Sequence, residues 1–269
     1  MGLIFSRHLS VEQQYRSIFI SDIHLGTRGC QADVLLSFLK RNTSQNLYLI
    51  GDIVDGWQVN NGFHWPQEHT NVIRRFLTAA KRGTKVVYVL GNHDEALRKY
   101  LEFDINFGSI SIVDEFVHIG VDDKKYLITH GDYFDKTMQY PWLSYFGDRA
   151  YSYAVWISGV INRFRKYFNR PYWSFSGMMK TKAKGYLQYL YEFEEYICKH
   201  AKSRNFSGVI CGHTHTAKIR DIETIRYMND GDWVDSCSAL VEDFSGNFEL
   251  IYWREKHKQL NLDLNDFHN

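Results

Sequence analysis

Asp22, His24, Asp52, Asn92, His130, His213 and His215 together offer four imidazoles, two carboxylates and an amide oxygen, with no thiolate among them. One divalent ion does not use that many donors, whereas two ions do. If Asp52 is shared, one ion takes Asp22, His24, Asp52 and His215. The other takes Asp52, Asn92, His130 and His213, and both keep open positions for water and substrate. Mixed nitrogen and oxygen donors suit Mn²⁺, Fe or Zn²⁺, with Mg²⁺ also admitted, better than Ca²⁺ or a soft metal. Two such ions about 3.5–4 Å apart activate water and neutralise charge on a phosphoryl oxygen. The chemistry to expect is therefore hydrolysis at phosphorus.

A lone histidine at a strand end is ordinary, and Gly-Asp is a common turn. Here the same arrangement recurs five times, at SDIHLG (21–26), NLYLIGDIVD (46–55), KVVYVLGNHD (85–94), YLITHGD (126–132) and GVICGHTH (208–215). Four begin as apolar runs of a kind found in strands buried on both faces, and glycine accompanies the candidate ligands throughout. Strands are expected over 17–21, 47–50, 86–90 and 126–129. Between them, 32–40 places Leu35, Leu36 and Leu39 on one helical face, and 68–81 repeats Val72, Ile73, Phe76, Leu77 and Ala80 at helical spacing. Strand, helix, strand in succession implies βαβ units with parallel strands. Residues 105–120 alternate in the manner of short antiparallel strands. The loop after Asp55 carries Trp57, His64 and Trp65 next to a ligand position, which makes Trp57 a candidate substrate contact.

With 269 residues and 44% hydrophobic content, the chain buries a full core, and its net charge of +1 conceals a local excess. Residues 136–184 hold nine Lys or Arg, thirteen aromatics and one acid, Asp148. This stretch lies between His130 and His213, too long a separation for an unstructured connection in a compact domain. A helical cap is expected, with amphipathic helices over 153–168 and 186–201 and a break at Pro171 and Gly177. The second helix would turn Leu187, Leu190, Phe193, Ile197 and Ala201 to one side. A basic, aromatic helical pair suits an anionic membrane face or an acyl-chain groove. Nucleic acid is not expected as a partner, since it calls for a broader basic surface. Cys30, Cys198, Cys211 and Cys237 show no paired spacing, which fits a reducing, cytoplasmic setting. No run of about 18 apolar residues occurs and residues 1–16 lack the core of a secretion signal, so neither a membrane-crossing helix nor export is expected.

DIH, GDIVD, GNHD, THGD and GHTH, spread over 16–253, resemble the signature of the calcineurin-like metallophosphoesterases. The resemblance implies a two-sheet α/β sandwich with a dinuclear site at the strand ends and a helical cap insertion. The corresponding organisation is an extension over 1–15, a catalytic domain over 16–254 with the cap at about 135–204, and a polar tail over 255–269. His93 then matches the histidine that contacts the scissile phosphate, and Asp55 the carboxylate that orients it. Phosphoprotein phosphatases of this family carry GDxVDRG, whereas here Gly56 and Trp57 follow Asp55 and the phosphate-gripping arginine is missing. The helical insertion, THGD before it and NDGDWVDSCSALVE (229–242), expected as a strand pair, are similar to UDP-2,3-diacylglucosamine hydrolases. That similarity implies Mn²⁺-dependent cleavage to lipid X and UMP, in lipid A biosynthesis, by a peripheral enzyme on the cytoplasmic face of the inner membrane. GNHD departs from the GNRD of that subfamily. A soluble phosphodiesterase or nucleotide phosphatase, and a catalytically silent binding module, stay open beside it. Arg28, Arg149, Lys180 and Lys184 are candidates to pair with the remaining phosphate.

Overall fold

The computed structural model describes residues 13–60, 62–103, 106–135, 175–254 and 256. The helix expected over 153–168, the break at Pro171, Arg149, and nearly all of both terminal segments fall outside them. In chain order the elements are β1 (Gln13–Ile20), α1 (Ala32–Arg41), β2 (Asn42–Ile50), α2 (Gln67–Lys81) and β3 (Lys85–Val89). Then come β4 (Asn106–Phe107), β5 (Ile110–Val113), β6 (Glu115–Ile119), β7 (Lys125–Thr129) and α3 (Phe175–Ser203). The last five are β8 (Gly208–Cys211), β9 (Lys218–Ile222), β10 (Ile225–Asn229), β11 (Ser238–Glu242) and β12 (Phe248–Tyr252). One sheet has the order β12-β11-β1-β2-β3-β5-β4 and the other β6-β7-β8-β10-β9.

The chain forms two compact units, Met1–Asp132 with Ile197–Asn269, and Tyr133–Tyr196. In the first, the central strands β1, β2 and β3 run parallel, as the βαβ pattern requires. Their residues divide between two cores. Ile18, Ile20, Leu47, Leu49, Val86 and Tyr88 pack with Leu35, Phe38, Val72 and Phe76 of α1 and α2. The alternate residues Phe19, Tyr48, Ile50, Val87 and Val89 pack with Tyr126, Ile128, Ile210 and Met228 of the second sheet. A strand buried on both faces has no polar side, which is why these runs read as continuous hydrophobics. Leu35, Leu36 and Leu39 are buried as expected, while Leu77 is 45% exposed at the edge of the α2 stripe.

Below the strand ends that carry the ligands, a polar cluster joins the sheets. Glu242, fully buried, accepts from both Arg16 Nη1 (2.7 and 2.8 Å) and Ser17 Oγ (2.8 Å), and lies 3.0 Å from His118 Nε2. Tyr48 Oη meets His118 Nδ1 at 3.1 Å.

Three expectations about later elements are corrected. The segment 229–242 is not a strand pair: β10 belongs to one sheet and β11 to the other, so the chain crosses between sheets at Asp230–Cys237. Gly177 does not break a helix either, since α3 begins at Phe175 and runs on, an isolated helical glycine costing only about 1 kcal/mol relative to alanine. Within the second unit Tyr189 Oη donates to Asp135 Oδ2 at 3.1 Å. Leu187, expected on the inner face of α3, is 65% exposed.

Candidate metal centre

All seven predicted ligands leave the carboxyl ends of parallel strands, where open α/β sheets place their sites. β1 leads to Asp22 and His24, β2 to Asp52, β3 to Asn92, β7 to His130, and β8 to His213 and His215. Asp22, His24, Asp52, His213 and His215 hold positive φ of 49–65°, a region that non-glycine residues seldom occupy. Such strain persists only where surrounding bonds dictate it. Those bonds are present: Asp22 N–H donates to the Gly51 carbonyl (3.1 Å), His24 N–H to Asp52 O (2.9 Å) and Leu25 N–H to Ile53 O (2.9 Å). Carboxylates then tie the loops together, because His93 N–H donates to Asp52 Oδ1 and His213 N–H to Asp22 Oδ2, both at 2.9 Å. Gly51, at φ +78°, leaves room for the His130 ring that a Cβ would strike.

The side chains converge. Asp22, His24 and His215 bring one donor atom each within 4.8 Å of one another, as do Asp22, Asp52 and His130, and also His24, Asp52 and His93. Asn92 Oδ1 lies 3.3 Å from His130 Nε2, and the His213 and His130 rings meet edge to face at 5.1 Å. Two features show that the arrangement fits divalent cations. Asp22 Oδ1 is buried and accepts no hydrogen bond, although His215 Nε2 is 3.1 Å away and His24 Nε2 3.9 Å. The His130 Nδ1–H donates to the Ile50 carbonyl at 2.8 Å, which turns Nε2 toward the oxygens of Asn92 and Asp52; a ring neutral at Nε2 would offer its lone pair there to a cation. Lone pairs from nitrogen, carboxylate and amide facing a common point are what a cation requires, and a backbone bond on the other ring nitrogen is the usual way to fix a ligand histidine.

The electrostatics follow from the same crowding. Burial alone would push Asp22 up, but the imidazole of His215 and that of His130 bring it below the usual carboxylate range. Asp52 is likewise held well below its ordinary value, against burial, by His130, His24 and His93. Burial disfavours charge on His215, yet Asp22 raises its pKa to about 9, and His130 is raised well above normal by Asp52.

Asp55 was expected beside His93; its second partner, His24, and the contributions of Ser21, Asp230 and Asp94 were not legible. Asp55 serves two histidines, with Oδ2 3.3 Å from His24 Nδ1 and Oδ1 3.0 Å from His93 Nδ1. Ser21 Oγ, 2.6 Å from Asp230 Oδ1, bridges that carboxyl to Asp22 Oδ2. Burial and the charge of Asp22 raise Asp230 well above its ordinary value. Asp94 accepts N–H from Ile53 (3.3 Å), Val54 (3.2 Å) and Gly91 (3.4 Å), anchoring two ligand loops. The only sequence trace of these residues is a second carboxylate or hydroxyl beside each ligand motif. Trp57 stacks on the His93 ring at 3.9 Å and 30°. Arg28 is exposed and lines a cavity beside the cluster, outside the ligand groups. Lys180 and Lys184 belong to α3, and Arg149 lies outside the described residues.

Residues 15–217 match the sequence model of the calcineurin-like phosphoesterases. The chain belongs to that family. It is a metal-dependent phosphoesterase, and the two-sheet α/β fold and ligand cluster are of a piece with that membership. Among characterised proteins, this phosphoesterase is 30% identical over 152 residues to a UDP-2,3-diacylglucosamine hydrolase of Aliivibrio fischeri, covering 54% of this chain. The match spans 58% of the relative's length. Among solved structures it is similar to an archaeal phosphodiesterase, at 14% identity and TM-score 0.42, covering 87% of this chain and 98% of the other. It is also similar to the phosphoesterase Yfce of E. coli, at 14% identity and TM-score 0.41, covering 88% and 99%.

Proposed function

We propose that this phosphoesterase binds two divalent ions and cleaves the diphosphate of a lipid-linked nucleotide, UDP-2,3-diacylglucosamine, to lipid X and UMP. The ions, Mn²⁺ in this reading, supply an activated water and offset charge on the phosphoryl oxygens when bound. Asp22, His24, Asp52 and His215 would hold one, and Asp52, Asn92, His130 and His213 the other.

The chain's own contribution centres on His93. Its Nδ1 lies 3.0 Å from Asp55 Oδ1, which fixes the ring and leaves Nε2 facing the cluster, 3.8 Å from Asp52 Oδ2. Burial opposes a charged ring, but Asp55 and Asp52 outweigh it and raise the His93 pKa. With Nδ1 turned to Asp55, Nε2 is placed to offer a proton to the leaving oxygen or to a phosphoryl oxygen in the transition state. Trp57, stacked on the ring face, favours the cationic form and excludes water from that side.

The observation that carries hydrolysis at phosphorus is this pairing of an oriented imidazole with a converging ligand set. The named relative supports the lipid substrate. So do Tyr186, Leu187, Tyr191 and Tyr196 of α3, exposed by 47–65%, as apolar surface suited to acyl chains at the cytoplasmic face of a membrane. No helix among the described residues is long and apolar enough to cross a membrane. The test is to supply UDP-2,3-diacylglucosamine in mixed micelles to Mn²⁺-loaded protein and follow UMP by chromatography. Release of UMP, with flotation on anionic vesicles that weakens with salt, is the expected result. Turnover of bis-p-nitrophenyl phosphate with no UMP would refute the lipid substrate and leave the phosphodiesterase reading, which the His93–Asp55 pair favours equally.

A further inference from the structure

Beyond His24 the chain turns at Thr27, whose N–H and Oγ1–H both donate to the His24 carbonyl, at 3.1 and 2.9 Å. Next to this turn, between the starts of α1 and α2, is a cavity of about 300 Å³. Arg28, Asp33, His64, Glu68 and His69 supply its polar lining, and none of the seven ligands takes part.

His69 gives the cavity its meaning. The residue is 2% exposed, and its Nδ1 accepts the N–H of Gly26 at 3.1 Å. A ring that accepts at Nδ1 carries its proton on Nε2. That Nε2–H has no hydrogen-bond partner among the described residues. Trp65 and His64 stand edge-on to the ring at 5.5 and 6.2 Å and hold it in place. In a ring otherwise this buried, the donor is not sealed in the interior but opens onto the cavity, where a molecule that enters can accept from it. The side chains of Arg28, Asp33, His64 and Glu68 likewise make no hydrogen bond or ion pair among the described residues. At the start of α1, the first helical bond is Leu35 N–H to Gln31 O, and Gln31 provides no side-chain cap.

The balance of charge says what enters. Two carboxylates against one guanidinium repel a bare phosphate. Carboxylates accept from neighbouring hydroxyls, while Nε2–H and the guanidinium donate to hydroxyl and ring oxygens. That complement suits a polyhydroxylated ring. Thr27 is three positions beyond His24, a span of at most about 10 Å, which is the reach of a sugar attached to a phosphate at the metal centre.

We infer that this cavity is a sugar subsite, which takes a ribose or hexose ring joined to the phosphate under attack. The inference rests on the phosphoester reading of the adjoining centre but not on the lipid. It is tested by calorimetric titration of the Mn²⁺-loaded full chain with methyl phosphate, UMP and glucosamine 1-phosphate. At least one sugar phosphate should bind about tenfold tighter than methyl phosphate, or about 1.4 kcal/mol. UMP favoured alone identifies ribose, and glucosamine 1-phosphate favoured alone identifies the hexose. His69→Asn keeps an acceptor for Gly26 N–H while removing Nε2–H, and Glu68→Gln alters only a partly exposed carboxylate. Each should cut the sugar advantage to about threefold or less. No preference for either sugar phosphate, or a preference that survives both substitutions, overturns the subsite. Failure of the phosphoester reading is a separate result, seen as no hydrolysis of bis-p-nitrophenyl phosphate by protein that still prefers the sugar phosphate.

Discussion

Gly91 lies where β3 ends, one residue before Asn92, with a φ that alanine adopts without strain. Its importance is spatial. A Cβ there would sit 2.6 Å from Asp52 N and 3.0 Å from His130 Cδ2, and closer still to Asp52 Oδ1. Ordinary contact begins at 3.4 Å, so Asp52 must retreat by about 0.8 Å, and both neighbouring residues are buried. Asp52 is also the carboxylate shared by both ion positions in the proposed arrangement. Misplacing a reacting group by about 1 Å costs on the order of 10²-fold in rate. Gly91→Ala is therefore expected to lower kcat/KM for bis-p-nitrophenyl phosphate about 100-fold and to reduce bound metal, measured by plasma mass spectrometry on dialysed protein. Gly185→Ala is the control, since a Cβ on that helical glycine meets nothing within 4 Å. It should raise stability by about 0.5–1 kcal/mol through helix propensity and leave turnover unchanged. Full metal content with activity within threefold of normal in Gly91→Ala would refute the claim that Asp52 is held by contact at the centre of the site.

Three further outcomes follow from the same geometry. His93→Ala should lower kcat by about 10²–10⁴-fold with metal content unchanged. Asp55→Asn should also weaken metal retention, because Asp55 contacts His24 as well; identical metal loss in both variants would dissolve that distinction. In the metal-free chain His215, His130 and His93 have raised pKa values and so stabilise the fold fully below about pH 6.5, a contribution lost as pH climbs through about 9 for His215. Asp22, Asp52 and Asp55 are depressed, and contribute above about pH 4 until acid protonates them in the fold. Melting with chelator should therefore peak in mildly acidic buffer and fall toward pH 10, whereas an unchanged Tm between pH 6 and 10 would contradict the assignment. Far from the centre, Arg16→Met removes one partner of buried Glu242 while His118 and Ser17 remain. Denaturant melts should show a loss of about 2–3 kcal/mol, below the 3–5 kcal/mol of a pair broken outright, with turnover preserved.

The parallel strands and the polar cluster at their carboxyl ends were legible because both cores draw on the same strands. Burial on two faces leaves an unbroken apolar run, and the first polar residue after it marks the site. The second layer was not legible. Nothing in NDGDW distinguishes Asp230, hydrogen-bonded to Ser21, from a turn residue, since its role depends on a segment 209 positions away. Helix α3 misled for another reason: helical periodicity identifies a stripe but not which side is covered, so Leu187 was assigned inward and lies exposed. The 229–242 segment reads as a strand pair because sequence shows two strand-like runs and a turn, while the pairing partners lie on separate sheets.

The most direct measurement is a crystal of Mn²⁺-loaded protein with anomalous data collected above the manganese edge. Two peaks are predicted, one touching Asp22, His24 and His215, the other Asn92, His130 and His213, with Asp52 contacting both. A single peak, or none, among these residues would contradict the account.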